Sequence, residues 1–291
     1  MRTDWAYRLG WTVACRVPEA LVRPTLDVIA DQIWRRRGKG VLRLESNLAR
    51  AVPPETALDP DALRALSRDA MRSYLRYWGE VFRLSRWSAS DILAGVATEN
   101  FHYLRDAYEA GQGVVGALPH MGNWELAGAW SCTMGVPLTA VAERLEPESL
   151  YRDFVAFREG LGMEILPITG GGPTMPILTR RLEHGGFVCL LADRDLSRGG
   201  IEVELLGSKA RFPPGPAELA RRTGSLLVPI TSVYDGPLMR LRLHEPVPLD
   251  DGPDGVARMT QGVADAFSAT IRAHPADWHM LQRVFVEDGR S

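Results

Sequence analysis

The chain has 291 residues, of which 45% are hydrophobic and 24% charged, and its formal net charge is -2 at pH 7. A chain of this length and composition can bury a full core, and it is neither disordered nor basic enough to coat nucleic acid, so no nucleic-acid partner is expected. Its three cysteines lie far apart without the paired spacing of a zinc site or a redox dithiol, which fits a reducing cytosol.

The first fifty residues predict contact with a membrane surface. They carry ten arginines and lysines against five acids, but the chain contains no apolar run of about 18 residues that could span a bilayer. Four aromatic residues are interleaved with these charges: Trp5, Tyr7, Trp11 and Trp34. This pattern favours docking on an anionic leaflet over the alternative of a helix pair with a solvated basic face.

Residues 1–110 predict a helical N-terminal part, which is also the candidate for membrane docking. Between residues 61 and 84, apolar side chains recur at three- and four-residue spacing, namely Leu63, Leu66, Ala70, Tyr74, Trp78 and Phe82. The stretch 51–61 predicts a loop before this helix, with Asp59 or Asp61 as its cap.

From residue 111 to 250, short apolar runs alternate with helical stretches. The runs are GVVGALP, PLTAVAE, EILPIT, FVCLLAD, LLVPITSVY and LRLHEPVPL. This alternation predicts an α/β fold with a central, mostly parallel or mixed sheet flanked by helices. Residues 251–291 add a C-terminal helix and tail, and Val256, Met259, Val263, Phe267 and Ile271 share one stripe of that helix. We expect one domain over residues 1–291, with the core at 111–250.

The stretch GVVGALPHMGNWELAGAW, residues 113–130, places His120 between a predicted strand and a predicted helix. Pro119 ends the strand and Asn123 caps the helix, so His120 lies at the carboxyl end of a strand, where sites of α/β sheets are usually found. Glu125 follows His120 by five residues and falls in the first helical turn. A histidine beside a carboxylate suits a general base, whereas the alternative is a hydrogen-bonded structural histidine.

A second acidic cluster follows the predicted strand FVCLL and contains Asp193. If the two strands are neighbours, an aspartate of this cluster could reach His120; the alternative is a turn held by its own salt bridges. The chain has no GxSxG elbow, and no second histidine lies at ligand spacing from His120, so neither covalent catalysis nor a metal site is indicated. The loop ITGGGPTMP lacks the lysine and the register of a phosphate-binding loop.

The run LPHMGNWELAG resembles the HX4D/E motif of the bacterial lysophospholipid and lipid A acyltransferase superfamily. Within it, the chain is similar to the actinobacterial phosphatidylinositol mannoside acyltransferases. The resemblance extends over nearly the whole chain through TDWAYRLGW, YWGEVFRL, VAERLEPESLYRDF, FREGLGMEILP, LADRDLSRGGIEVELLG and HPADWHMLQ. It implies that His120 is the general base, that Glu125 is the motif acid, and that Asp193 stands where the family has a glutamate that pairs with the histidine.

The same resemblance implies two substrate-binding residues, Glu143 and Arg158, which match an acid and an arginine of the family site. From the residues alone, Arg158 could bind a phosphate or brace a carboxylate, or form an ordinary surface ion pair. Arg198 is a further candidate, for a phosphate of coenzyme A. The backbone amides of Gly122 and Asn123, at the helix start, are candidates for stabilising an oxyanion.

The reaction implied by the resemblance is transfer of a palmitoyl chain from acyl-CoA to the 6-hydroxyl of the mannose on inositol position 2 of phosphatidylinositol mannosides. Acyl-CoA is then a co-substrate, and no cofactor or metal is expected. The partners are acyl-CoA, the mannosylated lipid and the anionic inner membrane surface, and the protein would lie on the cytoplasmic face of the cell membrane. Two alternatives remain open: the same chemistry on another glycolipid or lysophospholipid, and a peripheral lipid-binding protein without turnover.

Overall fold

The computed structural model describes residues 19–144, 147–168, 174–195 and 199–288. Its helices are α1 (Glu19–Arg35), α2 (Lys39–Ala51), α3 (Pro54–Ala57), α4 (Pro60–Leu84), α5 (Ala89–Ala94), α6 (His102–Glu109), α7 (Trp124–Thr133), α8 (Glu148–Gly160), α9 (Thr174–Glu183), α10 (Gly215–Thr223) and α11 (Gly255–Ala273). Its strands are β1 (Val96–Glu99), β2 (Val114–Leu118), β3 (Leu138–Ala142), β4 (Glu164–Pro167), β5 (Phe187–Leu191), β6 (Ile201–Leu205), β7 (Ser208–Phe212), β8 (Leu226–Asp235) and β9 (Leu238–Leu243).

Seven strands form one sheet in the order β1, β9, β8, β2, β5, β3, β4. The five strands from β8 to β4 run parallel, whereas β9 is antiparallel to β8 and parallel to β1. The remaining two strands, β6 and β7, form a separate antiparallel hairpin. The predicted α/β class with a mixed, mostly parallel sheet is therefore confirmed.

Apolar cores cover both faces of the sheet, as the sequence of β2 requires. All five residues of β2 are buried; Val115 and Ala117 face one core, while Val114 and Leu118 face the other. A parallel strand with helices on both sides reads as such a continuous apolar run. A third apolar cluster joins α1, α2 and α4 into a helical layer beside the sheet.

Two predicted helices begin and end close to where the sequence placed them. Asp59 caps α4, because its Oδ1 accepts from the backbone amides of Asp61 and Ala62 at 2.9 and 3.1 Å. The C-terminal helix extends over Gly255–Ala273, and its predicted stripe, from Met259 to Ile271, is buried against the sheet. The loop predicted before α4 contains the single turn of α3.

The sequence did not predict three of the strands, and it predicted a fourth at shifted residues. β1 lies within the part read as helical, and its four residues are too few to show a period. The hairpin of β6 and β7 was not predicted as strands, although buried and more exposed side chains alternate along both of them. The hairpin turns at Leu206 and Gly207, both with positive φ. The predicted strand LRLHEPVPL begins three residues earlier and ends at Leu243. A hairpin, not a helix, therefore follows β8.

Among the described residues, no helix is both long and apolar enough to cross a bilayer. The aromatic residues Trp5, Tyr7 and Trp11 lie outside the described residues. Trp34, the fourth aromatic residue of this pattern, contacts α4: its indole nitrogen donates to Ser67 Oγ at 2.9 Å, and the Arg64 guanidinium lies 3.8 Å from its ring centroid. The ring belongs to the packing between α1 and α4.

Candidate active site

The turn 119–123 joins β2 to α7 at the carboxyl edge of the sheet. Pro119 ends the strand, and its carbonyl accepts from the Met121 amide at 2.8 Å. Gly122 follows with φ of +59°, and a Cβ there would lie 2.4 Å from the carbonyl oxygen of Ser232. Only glycine fits this position, because a side chain would meet both backbone strain and a rigid strand. The turn thus packs directly on β8.

Asn123 caps α7 as predicted, with its Oδ1 accepting from the Leu126 amide at 3.0 Å. Its Nδ2 donates to Glu80 Oε2 at 2.8 Å, and the same oxygen accepts from the Tyr234 hydroxyl at 3.1 Å. Burial raises the pKa of Tyr234 well above its usual value, and the adjacent Glu80 carboxylate adds to this, so the phenol remains protonated. Glu80 belongs to the YWGEVFRL segment, whose role the sequence analysis did not identify.

His120 and Asp193 meet because their strands are neighbours. In the parallel pair of β2 and β5, Leu118 is in register with Leu191, so both site residues follow their strands by two positions. His120 Nδ1 lies 2.6 Å from Asp193 Oδ1, and the His120 backbone amide donates to Asp193 Oδ2 at 2.9 Å. Of the two carboxylates considered for this pairing, Asp193 is the one in contact.

The environment of Asp193 keeps it ionised. The residue is fully buried, which by itself raises its pKa, but the charge of His120 and hydrogen bonds from His120 and Trp278 outweigh burial and hold the pKa below its usual value. A buried carboxylate at Nδ1 requires the tautomer whose proton is on Nδ1. The other ring nitrogen, Nε2, has no hydrogen-bond partner in the described part of the chain, and about a quarter of the His120 side chain is exposed. Nε2 is thus the ring nitrogen left available for a further contact.

Glu125 does not contact His120, contrary to the pairing that its spacing suggested. Its carboxylate is buried and accepts from the guanidinium of Arg158, at 2.9 Å for Nε to Oε2. The partner from α8 explains why five residues of spacing did not pair Glu125 with His120: the guanidinium occupies both oxygens of the Glu125 carboxylate. Arg158 therefore braces a carboxylate, one of the alternatives open from the sequence.

One of the other predicted substrate-binding residues lies at the same edge of the sheet. Glu143 follows β3 by one residue, is mostly exposed, and has Oε2 3.9 Å from the guanidinium of Arg194. It does not contact Arg158, with which it was grouped. Arg198 lies outside the described residues. No group of three or more histidines, cysteines and acids that could hold a metal ion occurs among the residues described.

One of the two predicted oxyanion donors is already engaged. The Gly122 amide donates to the carbonyl of Asp277 at 2.9 Å, so it does not point into an open site and this prediction is wrong. The reason is that a C-terminal segment pairs with the turn, which the sequence did not indicate. The Asn123 amide remains as the candidate donor at the helix start.

The tail 274–282 forms one wall of the site. Its Trp278 forms an antiparallel bridge with Met121, and its indole nitrogen donates to Asp193 Oδ2 at 3.0 Å. The next residue, His279, is buried, and desolvation together with the charge of His120 lowers its pKa to about 3, so it stays neutral. Burial raises the pKa of Asp277 despite a hydrogen bond from Ser73. The sequence analysis used this tail only as a family signature.

An apolar cavity begins beside the turn, because Leu118 and Trp124, which flank the turn, both line it. It follows the inner face of α7 as far as Ser131 and reaches Phe187, at the amino end of β5. The residues that line it thus extend along the strands, away from His120. Its lining is predominantly apolar, which suits a hydrocarbon group.

Two features complete the lining of this cavity. The Glu125–Arg158 pair forms its charged part, near the start of α7. Cys189 also lines it, but burial raises the pKa of this thiol far above its usual value, which keeps it protonated and unreactive. The cavity therefore offers mainly apolar contacts.

Comparison with known proteins identifies relatives over almost the full chain. The model of the family described as bacterial lipid A biosynthesis acyltransferase matches residues 1–287. A phosphatidylinositol mannoside acyltransferase of Mycolicibacterium smegmatis is 41% identical over 287 residues, covering 98% of this chain and 92% of the relative. A protein of the same name from Mycobacterium tuberculosis is 42% identical over 289 residues, covering 98% and 89%.

Among solved structures, the chain is similar to the 1-acyl-sn-glycerophosphate acyltransferase PlsC of Thermotoga maritima. The TM-score is 0.37 at 13% sequence identity, and the match covers 71% of this chain and 88% of that one.

Proposed function

The chain belongs to the bacterial lipid A biosynthesis acyltransferase family, and from that premise we propose that it transfers a palmitoyl chain from acyl-CoA to phosphatidylinositol mannosides. The acceptor is the 6-hydroxyl of the mannose on inositol position 2. The observation that carries the proposal is the contact of His120 with the buried Asp193, next to the start of an apolar cavity. The names of the relatives support the choice of acceptor.

His120 acts as the general base in this proposal. A sugar hydroxyl is too weakly acidic to ionise at neutral pH, so Nε2 takes its proton while the hydroxyl oxygen attacks the thioester carbonyl carbon. Asp193 accepts the Nδ1 proton in a hydrogen bond and stabilises the imidazolium that forms. The tetrahedral intermediate then collapses, the carbon–sulfur bond breaks, and the thiolate leaves with the proton held by His120. The products are the acylated mannoside and free coenzyme A.

The surroundings of this pair supply positioning and charge stabilisation. The Asn123 amide, at the positive end of α7, stabilises the oxyanion, and Glu80 holds the Asn123 side chain. The Glu125–Arg158 pair fixes the first turn of α7 against α8. The acyl chain enters the cavity beneath α7, and its burial there contributes roughly 0.8 kcal/mol per methylene group. Arg198 and Glu143 are candidates for contacts with the polar ends of the substrates.

The acceptor lipid requires contact with a bilayer, and α1 offers a face for it. Four of its apolar side chains are 38–58% exposed: Leu21, Val28, Ile29 and Ile33. On α2, Leu42 is 45% exposed, and a basic run, Arg35 to Lys39, lies between the two helices. An apolar stripe next to basic side chains is the arrangement of interfacial helices on anionic membranes. We place the protein peripherally on the inner leaflet.

The test uses purified protein, palmitoyl-CoA and a panel of acceptors in mixed vesicles. The panel contains phosphatidylinositol, its mono- and dimannosylated forms, and a lysophospholipid, with product masses and thiol release as readouts. Acylation of the mannosylated lipids alone supports the proposal. Acylation of the lysophospholipid would instead identify another acceptor on the same machinery, and no thiol release with any acceptor would indicate a lipid-binding protein. Palmitoyl carrier protein, offered in place of palmitoyl-CoA, tests the donor.

A further inference from the structure

We infer that Trp278 is a positioning residue that holds Asp193, and through it His120, in the geometry needed for catalysis. Both Trp278 and Asp193 are fully buried, and the indole Nε1 donates to Asp193 Oδ2 at 3.0 Å. The two residues are 85 positions apart, so the contact is made by the tertiary fold. The inference rests on the proposed acyl transfer for its kinetic readout only.

The carboxylate of Asp193 is held by three donors, two of which come from one residue. Oδ1 contacts His120 Nδ1, while Oδ2 accepts from both the His120 backbone amide and the Trp278 indole. The His120 contacts move with the turn that they orient, so they cannot define the position of the carboxylate independently. Trp278 is the one donor in this set from a different part of the chain, and it therefore fixes the plane of the carboxylate relative to the sheet.

The backbone of the tail explains why the indole is placed so closely. On either side of Trp278, the Asp277 carbonyl accepts from the Gly122 amide at 2.9 Å, and the His279 amide donates to the His120 carbonyl at 2.8 Å. These bonds make a two-stranded bridge between tail and turn. The indole and the imidazole thus project from directly bonded backbone segments, and a shift of one segment displaces the other.

Two side chains and one backbone amide from outside the tail hold it in place. Asn47, on α2, donates through Nδ2 to the carbonyls of Met280 and Gln282, both at 2.8 Å. Ser73, on α4, donates to Asp277 Oδ1 at 2.7 Å, and the Tyr234 amide, on β8, donates to Asp277 Oδ2 at 2.9 Å. The tail is therefore fixed to the helical layer and to the sheet, which gives Trp278 a rigid support.

Removal of the indole N–H leaves Oδ2 with the His120 amide as its one donor in this set. The carboxylate can then rotate about its Cβ–Cγ bond, and the Nδ1 contact that orients the His120 ring lengthens. Misplacement of a reacting group by about 1 Å costs up to about 100-fold in rate. We expect Trp278→Phe to lower kcat about 10- to 100-fold while the KM for palmitoyl-CoA and for the acceptor stays unchanged.

The experiment compares Trp278→Phe with two controls. Phe285→Leu removes a ring that packs edge to face on Trp278, 6.4 Å between centroids, without touching the indole N–H. Trp34→Phe removes an indole hydrogen bond to Ser67, in the helical layer. Both controls should retain wild-type kcat after correction for folded protein. A low-field proton NMR signal from His120 Nδ1–H should move in Trp278→Phe and stay in place in the controls.

The NMR readout separates this inference from the proposed reaction. If the wild-type protein transfers no acyl chain, the proposed function fails, while the His120 signal still tests the link to Trp278. If Trp278→Phe does not fold, the indole N–H signal of Trp278 is followed in His120→Ala, where it should shift while that of Trp34 does not. A variant with wild-type kcat and an unchanged His120 signal, or an unshifted indole signal in His120→Ala, overturns the inference.

Discussion

His120 and Asp193 are joined twice, once through the imidazole at 2.6 Å and once through the His120 backbone amide at 2.9 Å. The second bond means that the carboxylate orients the turn as well as the ring. Both residues follow neighbouring parallel strands by two positions, so the register of β2 and β5 sets their separation. The sheet therefore brings the two residues together, and the hydrogen bonds to the Asp193 carboxylate then orient the ring.

His120→Ala should lower kcat/KM for acyl transfer by about 10²- to 10⁴-fold, because the general base is lost. Asp193→Asn should lower it over a similar range, since the amide cannot stabilise the imidazolium. Thiol release from palmitoyl-CoA in the presence of acceptor measures both. Matched controls are His184→Ala and Asp106→Asn, both on the exposed surface. Turnover near the wild-type level in His120→Ala would remove this residue from the mechanism.

Glu125→Gln should destabilise the fold by about 1.5–3 kcal/mol, because it replaces the buried carboxylate that accepts charge-assisted hydrogen bonds from Arg158. Replacing both residues, as in Glu125→Leu with Arg158→Met, should recover much of the loss. Chemical denaturation measures each free energy of unfolding. The low-field proton NMR signal of His120 Nδ1–H should be the same in Glu125→Gln as in the wild type, and a changed signal would show that Glu125 acts on the histidine after all.

Gly122→Ala should destabilise the protein by more than Gly111→Ala does. Both glycines have positive φ, +59° and +71°, so both variants carry a backbone strain of about 1–2 kcal/mol. A Cβ at Gly111 has no neighbour within 4 Å, whereas one at Gly122 meets the Ser232 carbonyl at 2.4 Å. The difference between the two free energies of unfolding isolates the clash, about 1–3 kcal/mol. Equal losses would mean that the turn can move away from β8.

Acid should destabilise the fold partly through His244. Burial, with repulsion from Arg242, lowers the pKa of His244 from 6.5 to about 4. Between these values the unfolded chain binds a proton that the folded chain does not, so stability present above pH 6.5 is lost as pH falls through this window, by up to about 1.4 kcal/mol per pH unit. In His244→Asn the free energy of unfolding should fall less steeply from pH 6.5 to 4. Parallel curves for the two proteins would contradict this.

The sheet was predictable because buried parallel strands read as continuous apolar runs. That signal was present in β2, β3, β5 and β8, and it needs no knowledge of distant contacts. β1 has only four residues and pairs with a strand more than 130 residues later, which a local pattern does not encode. The order of the strands in the sheet could not be predicted from local patterns either, and this order makes β2 and β5 neighbours.

The site was predictable where it depends on local chain geometry. The position of His120 after a strand and the Asn123 cap follow from nearby residues, and the structure has both. The choice between Glu125 and Asp193 as the partner of His120 depended on strand order. Gly122 was lost as an oxyanion donor because its amide is bonded to the tail. Trp278 was missed for the same reason, since its contact with Asp193 joins the C-terminal tail to the segment after β5, 85 positions earlier.

Val28→Asp combined with Ile33→Asp should weaken binding to vesicles that contain anionic phospholipid. Both side chains are exposed on α1, 58% and 38%, and inserting them into the interface is worth about 1.5–3 kcal/mol each at full burial, so the double variant should lose at least about 10-fold in affinity. Leu58→Asp is the matched control, because its side chain is 83% exposed but lies outside α1 and α2. Sedimentation with vesicles measures the bound fraction.

The same variant separates docking from chemistry. Turnover of acceptor embedded in vesicles should fall with the bound fraction, whereas turnover of a short-chain, water-soluble acceptor should match that of the wild type, because His120 and Asp193 are unchanged. Wild-type binding should also weaken as salt is raised, since the basic run at residues 35–39 attracts the anionic surface over a Debye length of about 10 Å. Equal vesicle binding by the double variant and the wild type would show that α1 is not the docking face.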